Sequence, residues 1–378
     1  MTRPLESYRA LFPVLQEQLY LNHAGVAPTS LRAAEAVRGW MDDLVYHGIS
    51  HERGWEAHCE RIRALAARIL HAESGEIAFV RNTSHGLGLV AEGLDWKPGD
   101  EVAVASSLEY PSNVYPWLHL KDRGVVVREI QTPSGGVTPE AVAQALTPRT
   151  RLVAVSSVQF ATGYRTDLEA VGALCERAGV LFCVDGIQSV GCVPVDVKKC
   201  RIHFLSADSH KWMLGISGIG VLYVAKEVLP QVRPVLVGWR STTDAWNFNR
   251  THFELRSDAG KFEEGSSAYP GLYAMGAAME LLQEVGVENI EARIRELLAR
   301  LEQGLLELGC EVGPAPEHRA GIFTFLPPGA RVRELGAYLS EHHVAHSVRR
   351  GRIRVSPHFY NLPSEMDRLV ELVRDFRA

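Results

Sequence analysis

The chain is predicted to be an α/β protein, with a mainly parallel seven-stranded sheet covered by helices and a smaller α+β unit after it. Three observations point there. Seven short, β-branched runs recur between residues 76 and 225. Several are apolar throughout, as strands covered on both faces must be. Stretches of helical periodicity separate them, which is the alternation that builds a sheet sandwiched by helices.

The runs EIAFV (76–80), EVAVAS (101–106), VVVREI (125–130), RLVAVSSV (151–158), VLFCVDG (180–186), HFLSAD (203–208) and IGVLYVA (219–225) are read as the strands. Over 167–177, Leu168, Val171 and Leu174 repeat at helical spacing and predict an amphipathic helix. The texture changes near 285. A long helix is expected over 289–308, where Ile290, Ile294, Leu297, Leu298, Leu301 and Leu305 share one side. Strands at 321–327 and 352–357 and helices at 332–343 and 364–377 then complete the smaller unit. The expected division is a large domain over 15–282 and a small C-terminal domain over 283–378, with 1–14 packing beside the latter.

Length and composition agree with two folded units. At about 150 residues per domain, 378 residues make roughly two and a half. Apolar residues are 46% and charged residues 22%, the balance of a globular protein rather than a disordered one. Lys plus Arg is 40 against 45 for Asp plus Glu, a formal charge of −5, so no basic footprint for nucleic acid is present. Six cysteines include no C-x-x-C pair; Cys175, Cys183, Cys192 and Cys200 are read as reduced thiols of a cytoplasmic protein. The first fifteen residues carry no apolar h-region, and no run reaches 18 apolar residues, so neither a secretion signal nor a membrane partner is expected.

Generic motifs are missing: no G-x-G-x-x-G after a strand, no P-loop and no H-E-x-x-H. Gly215–Gly220 is glycine-rich in the wrong order. His342 and His346, four apart on an expected helix, are read as a solvated face, and no metal site is expected. The informative segment is 180–223. Asp185 closes an apolar strand, with Gln188 three residues on, and ligands of α/β sheets lie beyond such strand ends. On these residues alone Asp185 is equally well a helix cap. Twenty-six residues later, a second strand delivers His210-Lys211 into a loop against Trp212-Met213-Leu214. Apolar surroundings depress a lysine's pKa and free its amine as a nucleophile. A lysine of that kind opposite a strand-end acid suits pyridoxal phosphate: the amine forms a Schiff base, and the acid keeps the pyridine nitrogen protonated.

From Tyr20-Leu-Asn-His-Ala-Gly25 to Arg354-Val-Ser-Pro-His-Phe-Tyr-Asn361, with V-D-G-x-Q (184–188) and A-D-S-H-K-W (207–212) in order, the sequence resembles the class V aminotransferases. These are fold-type I pyridoxal phosphate enzymes, a branch that includes cysteine desulfurases, kynureninases and epimerase-like proteins. The resemblance implies that Lys211 carries the cofactor, Asp185 pairs with the ring nitrogen and Gln188 bonds the ring's phenolic oxygen. It implies phosphate contacts from Thr83, Ser84 and His210, at a helix start that suits a dianion. Tyr110 takes the place of the ring that stacks on the cofactor, where desulfurases usually have His. Ser156, Ser157 or Gln159 is expected to supply a polar contact, with Ser156 preferred. Ser266 and Trp239 are further cofactor candidates; the Ser266 segment is expected to reach the neighbouring subunit of a homodimer. Arg354 matches the arginine that grips a substrate carboxylate, as a bidentate guanidinium can. His23, Arg240 and Arg350 are pocket candidates without an assigned role.

One departure narrows the expectation. Desulfurases need a mobile cysteine shortly before that arginine; here the region reads HHVAHSVRRGRIR, and the nearest cysteine is Cys310. The expected function is an aminotransferase acting at the α-amino group of a small amino acid. The alternative is a lyase or hydrolase of the C–S lyase, selenocysteine-lyase-like or kynureninase-like kind, and a non-catalytic regulator is the remote one. Asp208-Ser209-His210 also invites a serine-hydrolase reading, but three adjacent residues do not converge as a triad.

Overall fold

The computed structural model describes residues 4–133, 135–249 and 252–377; of the expected segments 1–14 and 283–378, residues 1–3 and 378 lie outside the described residues. The seven predicted runs form strands β1 (Ile77–Val80), β2 (Glu101–Val104), β3 (Val126–Glu129), β4 (Thr150–Ser156), β5 (Leu181–Asp185), β6 (Phe204–Asp208) and β7 (Gly220–Val224). They build one seven-stranded sheet in the order β1-β7-β6-β5-β4-β2-β3. β7 pairs antiparallel with both β1 and β6, and the remaining pairs are parallel. Residues of β1, β2, β6 and β7 are buried along their whole length, because helices cover both faces.

Parallel pairing puts the carboxyl ends of β4, β5 and β6 side by side. In register, Ser156 lies opposite Asp185, and Asp185 opposite Ser206. The strand-end rule that marked Asp185 therefore applies to its neighbours too.

Helices α1 (Leu31–His47) and α2 (Glu52–Leu70), unread in the sequence, precede β1. Helix α3 (Thr83–Gly93) follows it, capped by the Asn82 side chain accepting from the His85 N–H at 2.8 Å. Its Gly86 is required: a Cβ there would come within 2.2 Å of Ser206 Oγ, so only glycine lets α3 lie this close to β6. Helix α4 (Leu168–Ala178) starts on Asp167, which accepts from the Ala170 N–H at 3.0 Å, and ends at Gly179 with φ 66°. Helix α5 (Tyr269–Val285) leads through Gly286 into α6 (Val287–Glu307), which buries the six residues predicted to share a side.

A second sheet of four strands follows: β8 (Glu311–Gly313), β9 (Phe323–Leu326), β10 (Ser347–Arg349) and β11 (Arg352–Val355), ordered β10-β11-β9-β8 and antiparallel throughout. Helices α7 (Val332–Glu341) and α8 (Pro363–Arg377) accompany it. Helix α7 ends at Glu341, and His343 has φ 57°, so His342 and His346 do not share a helix face as expected. Each instead bonds a backbone carbonyl through Nδ1, His342 to Tyr338 and His346 to Val344.

The amino-terminal segment ties to this second unit. Phe12 stacks on Tyr360 with ring centres 3.8 Å apart, and Arg9 bonds the Tyr360 carbonyl and Glu365. Leu19–Tyr20 pairs in parallel with Val344–Ala345. All six cysteines are free. No helix among the described residues is long and apolar enough to cross a membrane.

Candidate active site

Beyond the carboxyl ends of β5 and β6 lies a cavity of about 280 Å³. It gathers most of the residues singled out above: Thr83, Ser84, Tyr110, Asp185, Gln188, His210, Lys211 and Arg354 all line it.

Asp185 is the last residue of β5 and is buried. Its Oδ1 accepts one backbone N–H, from Ile187, at 3.1 Å. Desolvation pushes its pKa from 3.8 up to about 7; the neighbouring Glu109 adds to the rise and Lys211 opposes it. Lys211 follows β6 in a loop fixed at both sides. Ser209 N–H donates to the Ile219 carbonyl at 3.0 Å, Gly215 N–H to the Ser209 carbonyl at 2.9 Å, and Trp212 is wholly buried. Burial lowers the Lys211 pKa from 10.5 to about 8, partly offset by Asp185. The amine thus reaches its neutral, nucleophilic form near physiological pH.

The N-terminus of α3 faces the same space. Thr83 Oγ1 accepts from the Asp208 N–H at 3.0 Å, which docks the helix start onto the end of β6. Ser84 Oγ lies 2.6 Å from Ser112 Oγ at the exposed rim. Gln188 spans the wall, donating to the Ala24 carbonyl at 3.1 Å and accepting from Trp212 Nε1 at 2.8 Å. The Tyr110 ring is half exposed, stands edge-on to Phe160 at 5.2 Å and has its centre 5.8 Å from Lys211 Nζ.

Several buried polar atoms here have no hydrogen-bond partner among the described residues. Asp208 Oδ1 and His210 Nδ1 lie 3.0 Å apart without hydrogen-bond alignment. Arg354 is 2% exposed; it donates to the Phe160 carbonyl at 2.6 Å and to Ser347 Oγ at 3.2 Å, while its Nε is unpartnered. Desolvation lowers its pKa to about 10, and Arg349 adds to the effect. Among the described residues no carboxylate pairs with this buried arginine, a costly arrangement that an anionic ligand would relieve.

Five candidates fall outside the cavity lining: Ser156 with its alternatives Ser157 and Gln159, and Trp239 and Ser266. The Ser156 side chain turns away, donating to Glu109 Oε2, while its N–H donates to Oε1 at 2.7 Å. Trp239 packs edge-on against Trp246 at 4.9 Å, and Ser266 is exposed. Among the residues without an assigned role, His23 is buried behind the wall, Arg240 pairs with Glu56 at 2.7 Å, and Arg350 donates to the Ser107 carbonyl. Ser209 Oγ is spent on the Ile216 carbonyl at 2.7 Å, which ends the serine-hydrolase reading.

Other lining residues were not picked out as cofactor or substrate contacts: Asn82, Ser112, Phe160, Asp208 and Arg349 among them. Asp208 ends β6 as Asp185 ends β5, so the same strand-end signal could have found it. Phe160 lies in a turn and Arg349 ends the three-residue β10, and neither carries a periodic signal. Elsewhere, Asp43, His47 and His51 bring ligand atoms within 4.8 Å of one another, but none of the three lines the cavity.

An amine, a strand-end acid, a helix N-terminus with hydroxyls and an open aromatic ring are the parts a pyridoxal phosphate site requires. The comparisons agree. The model of the aminotransferase class-V family matches residues 19–369, and the chain belongs to that family. A probable cysteine desulfurase of Pyrococcus abyssi is 32% identical, across 99% of this chain and 98% of its own. The apo structure of a cysteine desulfurase from Thermococcus onnurineus NA1 superposes with a TM-score of 0.89 at 26% identity, over 99% of this chain and 98% of that one. The cystine C–S lyase C-DES, solved in complex with its product cysteine persulfide, gives 0.89 at 26% identity, over 96% and 99%. A variant of it has glycine covalently linked to its pyridoxal phosphate. The protein is a class V, fold-type I enzyme of pyridoxal phosphate.

Proposed function

We propose that the chain is a C–S lyase that eliminates sulfur from a small α-amino acid of the cysteine or cystine type without a protein-bound persulfide. The observation that carries this reading is the lining of the cavity. It holds an amine, a buried arginine with no carboxylate partner among the described residues and two aromatic rings, and no cysteine is among its lining residues. The kinship with desulfurases and with a cystine lyase favours carbon–sulfur cleavage over the transamination expected from the sequence. The missing cysteine disfavours the persulfide route of a desulfurase.

In this reading Arg354 binds the substrate carboxylate and so fixes which Cα bond faces Lys211. Lys211 Nζ, neutral above about pH 8, takes the Cα proton. Tyr110 and Phe160 shield the reacting face from water. Pyridoxal phosphate, when bound, supplies the electron sink for the Cα charge, and Asp185 holds the proton on its ring nitrogen. Thr83, Ser84 and His210 are placed for its phosphate, with Gln188 alongside. The Cβ–S electron pair departs with sulfur, which takes up a proton; water supplies the oxygen of the 2-oxo acid, and ammonia is released.

A homodimer is part of the proposal. Val235, Leu236, Val237, Trp246, Phe248 and Phe253 are exposed apolar residues in the region of Trp239, and exposed Ser266 lies free for a second copy. The division at 282/283 is proposed alongside it. The test is a product assay on L-cysteine and L-cystine. Pyruvate and ammonia should appear mole for mole. Alanine as the carbon product would mean a desulfurase, and amino-group exchange with an added 2-oxo acid a transaminase; either result overturns the reading.

A further inference from the structure

Glu109 is buried, precedes the lining residue Tyr110 and bonds Ser156, the register partner of Asp185; nothing in the mechanism above uses it. Four hydrogen bonds converge on its carboxylate. Oε1 accepts from the Ser156 N–H at 2.7 Å and Gln159 Nε2 at 2.8 Å; Oε2 accepts from Asn113 Nδ2 at 3.1 Å and from Ser156 Oγ. Asn113 is itself steadied by accepting from Trp117 Nε1 at 3.1 Å. Three of these donors are N–H groups, which cannot turn round to accept, so they favour a carboxylate over a carboxylic acid.

Asp185, one strand over and in register with Ser156, has a single backbone donor. Two buried acids that feel each other's charge resist a double charge. The one with more hydrogen-bond donors keeps the charge, and the other keeps the proton. Glu109 is also joined in sequence to Tyr110, so the bonds that fix its carboxylate fix the start of the segment that carries that ring.

We propose that Glu109 is a positioning residue, the fixed anion of an acid pair that keeps the shared proton on Asp185 or the cofactor nitrogen it faces, and the anchor of Tyr110. The charged and titratable groups that bear on Asp185 are Glu109 from the 105–113 turn and Lys211 from the loop after β6; Cys183 precedes it on β5 and feels both acids. Burial raises the Glu109 pKa from its usual 4.5 and the four donors oppose that rise, so the donors are what favour its charged form. That makes the donor set the element to perturb.

The test uses purified holoenzyme and the pH midpoint of the visible absorbance of the lysine-bound cofactor. Glu109→Gln removes the negative charge and is expected to move that midpoint down by about one pH unit, the scale of one partly screened charge. Glu109→Asp, which restores the charge, should return it towards the parent value. A purely structural role would alter melting temperature and leave the midpoint in place, and an unmoved midpoint in Glu109→Gln overturns the proposal. Should Glu109→Gln fail to fold, the pair Ser156→Ala with Gln159→Leu strips donors from an intact Glu109. That variant must then shift the midpoint downward, and no shift overturns the proposal equally.

Discussion

Two buried polar clusters lie within a few residues of each other and behave in opposite ways. The first surrounds His23. Its Nδ1 bonds the Ser356 carbonyl at 2.7 Å and its Nε2 bonds Tyr360 Oη; His358 Nε2 bonds the Trp212 carbonyl at 3.2 Å, and its Nδ1 accepts the Phe359 N–H at 2.9 Å. Every ring nitrogen there is used. The second cluster is the cavity, where Arg354 Nε has no hydrogen-bond partner among the described residues and Asp208 Oδ1 and His210 Nδ1 face each other at 3.0 Å without hydrogen-bond alignment. Saturation marks a cluster that holds the fold, and unmet hydrogen-bonding capacity marks one that awaits a ligand. Trp212 joins them, since its carbonyl serves His358 and its indole serves Gln188.

Substitutions should therefore change different quantities in the two clusters. Arg354→Met is expected to lower kcat/KM a few hundredfold, about 3–4 kcal/mol, by removing the carboxylate's partner. The same change should leave the cofactor-free protein as stable as the parent or more so, because it deletes an unpaired buried charge. Urea titration beside steady-state kinetics checks both signs; a marked loss of stability would assign Arg354 to the structural class.

The His23 cluster should instead show in acid. Burial lowers the His23 pKa from 6.5 to about 4 and that of His358 well below its usual value. The unfolded chain then binds more protons than the folded one as pH falls from 6.5 towards 4, and stability must drop over that window. His23 alone contributes about 3 kcal/mol to the loss. Chemical denaturation at a series of pH values should show this slope, reduced in His23→Gln. The smallest effect is Tyr360→Phe, which strands one ring nitrogen and should cost about 1–2 kcal/mol with kcat unchanged. A kcat defect in that variant would merge the two clusters.

What the sequence revealed of the site follows the strands. Asp185, Gln188, His210 and Lys211 were legible because apolar runs end at them and parallel strands align such ends on one edge. Ser156 was misjudged for the same reason. It too ends a strand, but its hydroxyl is claimed by Glu109, an acid known in sequence only as the residue before Tyr110. Which of two strand-end side chains faces the cavity is settled by a partner on another element, and periodicity holds no record of that. Helix α5 escaped notice for a related reason: it is apolar around much of its circumference, so no polar face marks its period.

The central claim is that Lys211 carries the cofactor, and covalent trapping tests it directly. Holoenzyme reduced with borohydride, digested and analysed by mass spectrometry should yield one peptide bearing the pyridoxyl phosphate mass, at Lys211. Cofactor-free protein should take up added pyridoxal phosphate faster as pH rises, with a midpoint near 8. A label on any other lysine, or an unmodified Lys211 in a yellow protein, would contradict the account.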